Sequence, residues 1–176
     1  MRKSISGVLA EPGFCPVLLS AFKKKTESLK TEEKQCILCL DQMSIRPSLR
    51  YLTKSDKIIG FEDMSVKSCG KEPATTALYF MIRGLNENWK QIIGYFFTCR
   101  GMPGEAQKIH LCQCIKLVEE IGLKVVGIVC DQGANNIKMA NALGITVEQP
   151  YFEFNNENKY FFMTHHTSLN PLETIF

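Results

Sequence analysis

Two long apolar runs, ATTALYFMIRGL (74–85) and WKQIIGYFFT (89–98), are separated by only three residues, Asn86, Glu87 and Asn88. Both are rich in β-branched and aromatic side chains, which suit a pleated, half-buried surface. So short a polar connection reverses the chain, because a parallel return needs a dozen or more residues. The runs are therefore predicted to be antiparallel neighbours, and the rest of the 176 residues must be arranged around them.

The flanking segments supply the other layers. QCILCLDQMSI (35–45) is apolar without clean alternation, the pattern of a strand buried on both faces, and Arg46 and Pro47 end it. LRYLTKSDKIIGFED reads as a small hairpin turning at Lys54–Lys57, followed by a loop over 64–73. After Gly101, Pro103 and Gly104 a helix is predicted over about 104–121, with Leu111, Cys114, Ile115, Val118 and Ile121 inward and Gly122 as its cap. LKVVGIVCD (123–131) is a fourth long strand, and Asn135–Leu143 a second helix closed by Gly144. PYFEF and KYFFM flank a turn at Asn155–Asn158 and read as a last hairpin. Upstream, PVLLSAFKKKTESLK (16–30) is predicted to be a helix, with Leu18, Phe22 and Leu29 on one face and Lys23–Lys25 solvated.

Three antiparallel strands, a helix and then a parallel strand make an α/β chain with the ribonuclease-H-like mixed sheet. In that plan the fourth strand lies beside the first. The consequence falls on two acids. Asp41 closes the apolar part of the first strand and Asp131 closes the fourth. Each alone reads as a turn or cap residue. On neighbouring strands, about 4.8 Å apart, they form the start of a divalent-metal site.

Most of the chain also resembles the ribonuclease-H-like catalytic domain of P-element-type transposases, including their THAP-domain relatives. The stretches that carry the resemblance are LCLDQMSIRPSLRYL, IIGFED, ALYFMIRGLNENWKQIIGYFFT, GLKVVGIVCDQGANN and QPYFEF. It implies DNA cleavage and strand transfer by a DDE-type site, with Asp41 and Asp131 as the first two catalytic acids and as ligands of Mg²⁺ (or Mn²⁺). It implies DNA as partner, with self-association or binding to a full-length transposase beside it, and a nuclear (or cytoplasmic) location. The family's third acid lies beyond a large insertion, so the domain is expected to be incomplete at its C-terminus and to bind the ion weakly. No GTP dependence carries over, and no C-x₂₋₄-C…C-x₂-H zinc module precedes the strands. The expected division is an N-terminal helical segment (1–34), a partial transposase domain (35–162) and a divergent tail (163–176), where FMTHHTSLNPL replaces the family's pattern. An alternative reading is a non-enzymatic remnant that binds DNA or protein.

The remaining features read plainly. Net charge of +3 neither demands nor excludes nucleic acid. No apolar run is long enough to span a membrane. The eight cysteines sit largely in apolar runs, as they do in a reducing, intracellular compartment. Cys36 and Cys39, three apart in a strand, face opposite ways and read as core residues rather than zinc ligands. Cys112 and Cys114 point to different helix faces. His110 is expected to be exposed, and His165 and His166 to form a surface pair. Glu105 reads as an acid favoured by a helix N-terminus, and Trp89 and the Tyr95–Phe97 cluster as core.

Overall fold

The computed structural model describes residues 12–53, 56–64 and 70–164. In chain order the elements are β1 (Gly13–Phe14), α1 (Pro16–Thr26), β2 (Gln35–Ser44), β3 (Arg50–Leu52), β4 (Lys57–Ile59), β5 (Thr76–Gly84) and β6 (Lys90–Thr98). They continue with α2 (Gly104–Glu120), β7 (Lys124–Asp131), α3 (Ala134–Ala142), β8 (Tyr151–Phe154) and β9 (Glu157–Thr164). The small hairpin β3–β4 stands apart from a seven-stranded sheet of order β1-β6-β5-β2-β7-β9-β8.

The three expected antiparallel strands are present. β2 pairs with β5 from Cys36↔Gly84 to Ser44↔Thr76, and β5 pairs with β6 from Thr76↔Thr98 to Arg83↔Lys90. The helix α2 then carries the chain across to β7, which runs parallel to β2 from Gln35↔Lys124 to Cys39↔Val129. This is the ribonuclease-H-like plan, with the fourth long strand beside the first. The last hairpin adds to it. β9 runs parallel to β7 from Gly127↔Tyr160 to Asp131↔Thr164, so three parallel strands lie side by side. The turn between β8 and β9 is tighter than the predicted four residues. Asn155 and Asn156 both take positive φ, 53° and 61°, as the two-residue turn that matches strand twist requires.

Strand alternation sorts the sheet into two unlike faces. Leu38, Leu40, Leu78, Phe80, Phe96, Ile128 and Phe161 join Leu19, Leu111, Cys114, Ile115, Val118 and Met139 from the three helices in one core. The opposite face carries Met43, Ile92, Tyr160 and Phe162, each about half exposed. At Gly104 α2 comes into close contact with α3. A Cβ on Gly104 would come within 2.7 Å of Lys138 Cβ and of the Met139 nitrogen. None of the described helices is long and apolar enough to cross a membrane.

Other local expectations change as well. The strand β1 was not foreseen; Gly94 makes room for it, since a Cβ there would lie 2.5 Å from the Phe14 ring. The first helix stops at Thr26, not 30, and its buried residues are Leu19 and Thr26. The Thr26 hydroxyl lies 2.8 Å from the Lys23 carbonyl and 2.5 Å from the Ile121 carbonyl, so the helix end is pinned to the end of α2. Of the Tyr95–Phe97 cluster only Phe96 is fully buried, because its neighbours alternate to the other face.

His110, expected outside, is 1% exposed. Its ring lies 4.1 Å from that of Phe96, and its Nε2 donates to the Met64 carbonyl at 2.8 Å. The segment 61–64 covers it, anchored where Asp63 pairs with Phe97, and helix periodicity carries no trace of that cover. Burial lowers the imidazole pKa below its usual value. The folded chain then binds fewer protons than the unfolded one as pH falls below about 6.5, so stability must fall with it. Urea midpoints at pH 7.5 and 5.5 should show this loss in the native chain, and His110→Phe should shrink it. An unchanged pH dependence in His110→Phe would rule out the histidine as its source.

Candidate metal centre

Asp41 and Asp131 reach the same end of the sheet for a reason of register. The last bridge between β2 and β7 is Cys39↔Val129. Carried two residues further, that register brings Asp41 level with Asp131. Partners level in a parallel pair point to the same face, and strand spacing is about 4.8 Å. Both aspartates are half-buried.

Each carboxylate is held by a different neighbour. Asp41 pairs across the ladder with Tyr79. Its Oδ2 accepts the Tyr79 hydroxyl at 2.8 Å and its Oδ1 accepts the Gln42 N–H at 2.8 Å. Burial, and then the bond to Asp41, push the Tyr79 phenol well above its ordinary pKa, so it stays protonated and remains a donor. Asp131 Oδ1 accepts the Gly133 N–H at 3.0 Å and the Asn136 side-chain amide at 2.5 Å. The same Asn136 amide lies 3.3 Å from the Asp131 carbonyl. Gly133 permits this closure, because a Cβ there would stand 3.0 Å from Asp131 Oδ1. The loop before α2 arrives at the same place. Gly101, at φ 87°, sits where a Cβ would lie 3.1 Å from both Asn135 Nδ2 and Gln42 Oε1.

The other residues singled out in the sequence stay apart from this pair. Among the described residues no group of three or more His, Cys, Asp or Glu side chains is arranged to hold an ion. Glu105 is exposed on the first turn of α2, beside a depression lined by Lys138 and Asn141. Cys36 is buried in the helix-side core while Cys39 is half-buried on the other face. Burial pushes their thiols up to about 12 and about 11 respectively, which keeps both protonated near neutral pH. Cys112 is partly exposed and Cys114 buried. Lys25 packs its ammonium 5.5 Å from the Phe22 ring centre. His165 and His166 lie outside the described residues.

Sequence reasoning missed Tyr79 and Asn136. Tyr79 could have been found by aligning the first two strands antiparallel, which sets it opposite Asp41. Asn136 had a weaker signal, an asparagine in the first turn of the helix that follows Asp131.

Comparison with known proteins agrees with this fold. Residues 10–144 match the family model described as TNP-like, RNase H N-terminal domain. The chain is 26% identical over 151 residues to the DNA transposase THAP9 of Homo sapiens, covering 84% of this chain and 17% of that protein. It is 25% identical over 127 residues to the transposable element P transposase of Drosophila melanogaster, covering 72% of this chain and 15% of that protein. Among solved structures it superposes on a chain of the Drosophila P element transposase strand transfer complex with a TM-score of 0.69 at 22% identity. That superposition covers 87% of this chain and 31% of the other, and it shows the shared fold. The chain therefore spans well under a quarter of the length of the curated relatives it matches.

Proposed function

For a chain that belongs to the TNP-like, RNase H N-terminal domain family, and so is related to transposases, we propose the role of a partial DDE-type catalytic domain acting on DNA in the nucleus. Asp41 and Asp131 are its first two acids. The observation that supports this most is the parallel register of β2 with β7, which ends at Cys39↔Val129 and, continued two residues, would set Asp41 and Asp131 level. The donor set suits a hard divalent cation such as Mg²⁺ or Mn²⁺, since both side chains offer carboxylate oxygen. When bound, such an ion supplies Lewis-acid stabilisation of phosphate oxygens and an activated water or 3′-hydroxyl. The chain's own contribution is to present two negatively charged ligands in fixed orientation at the sheet end. Two carboxylates fill only part of an octahedral shell, so binding is weak and the chain does not cleave DNA alone.

A second reading, a non-enzymatic DNA- or protein-binding module, draws support from the lack of a third clustered acid among the described residues. Calorimetric titration with Mn²⁺ and nicking of supercoiled DNA test the two. The expected result is weak saturable binding without nicking. Nicking that disappears in Asp131→Asn would show a complete enzyme and overturn the partial reading. A folded chain that binds no Mn²⁺ would leave the interaction module.

A further inference from the structure

We infer that Tyr79 and Asn136 are positioning residues, which hold the carboxylates of Asp41 and Asp131 in the orientations that allow them to share one ion. The inference rests on the metal-site reading of those two aspartates. An aspartate at a strand end has several staggered rotamers open to it. Two such ligands meet at one ion only when both are fixed, and a misplacement of about 0.5 Å is enough to weaken a site. Ligating carboxylates are for this reason themselves hydrogen-bonded.

The structure supplies one such donor from each side. Tyr79 comes from β5, across the antiparallel ladder, and its hydroxyl ends on Asp41 Oδ2. Asn136 comes from the first turn of α3 and is 8% exposed. Its amide nitrogen stands within reach of both the Oδ1 and the carbonyl oxygen of Asp131, so it ties side chain and backbone together. The Tyr79 and Gln42 donors on Asp41 take about two of a carboxylate's roughly four lone-pair positions, which leaves the others for ligation. Neither residue would touch the ion; each would act through an aspartate.

A purely structural role predicts something different, since it moves stability and leaves metal affinity alone. Tyr79→Phe removes only the hydroxyl and keeps the ring, and Asn136→Ala removes both amide contacts. Mn²⁺ titration followed by localised NMR line broadening around 41 and 131, with the side-chain couplings of the two aspartates measured without metal, separates the cases. The expected result is roughly 10–100-fold weaker Mn²⁺ binding in each variant. Averaged couplings should appear at Asp41 in Tyr79→Phe and at Asp131 in Asn136→Ala. Unchanged binding in both variants would overturn the inference and leave the metal reading standing. A native chain with no localised broadening would overturn both. Should Asn136→Ala fail to fold, Tyr79→Phe alone decides.

Discussion

Replacing Lys159 with alanine is expected to remove about 1.5–3 kcal/mol of folding stability, the range of hydrogen bonds to charged groups, because the lysine is buried while its partners Glu119 and Glu157 are partly exposed. Lys159 lies on the helix-facing side of β9 and is 0% exposed. Its ammonium stands 2.6 Å from Glu119 Oε1 at the end of α2 and 2.9 Å from Glu157 Oε2. Glu157 in turn meets Lys124 of β7 at 2.6 Å. Burial by itself would lower the lysine pKa, but the bonds to Glu119 and Glu157 outweigh it and hold the ammonium above its ordinary value. The bonds to Lys124 and Lys159 hold Glu157 down to about 2. A depressed carboxylate loses its contribution as pH falls from about 4.5 towards 2, so the native chain should weaken in that window. Lys159→Ala leaves Glu119 without its counter-charge next to the core. Urea denaturation of the native chain and the variant measures the difference, and a loss below about 1 kcal/mol, the range of exposed pairs, would refute the assignment.

Asp131→Asn should abolish Mn²⁺ binding while leaving the fold almost untouched. One of the two proposed anionic ligands disappears, which should exceed the 10–100-fold effect typical of outer hydrogen-bond partners. The asparagine oxygen can still accept from the Gly133 N–H, so the loop into α3 keeps that tie. Removing one of two like charges on neighbouring strands also relieves repulsion. The urea midpoint is therefore expected to hold or rise as metal affinity vanishes. Asp41→Asn should lose metal affinity as well, but its single amide oxygen can keep only one of the Tyr79 hydroxyl and Gln42 N–H donors, so some stability is lost there. A fall in stability matching the fall in affinity would mean that the aspartates serve the fold rather than an ion.

The ladder was legible because its signals are local. The three-residue link before Trp89 forces a hairpin, and the apolar runs around Leu38, Phe80 and Ile128 mark strands wherever they are placed. The pairing of β7 beside β2 followed from element order, and it brought Asp41 and Asp131 to one end. What escaped depended on contacts between distant segments. Nothing in the spacing of α2 reveals that residues 61–64 cover His110. Nothing in GFCP shows that Phe14 fills the space left by Gly94. The burial of Lys159, the first residue of KYFFM, depends on where α2 ends.

The bare contact of α2 with α3 at Gly104 has a mechanical result. With no Cβ at that point of α2, the residue works as a shim of zero thickness, and even a methyl group there would act as a wedge against Met139 and Lys138. The force would be transmitted along one turn of α3 to the asparagine that grips Asp131. A change at position 104, on a helix that supplies no ligand, would thus reach the carboxylate by leverage.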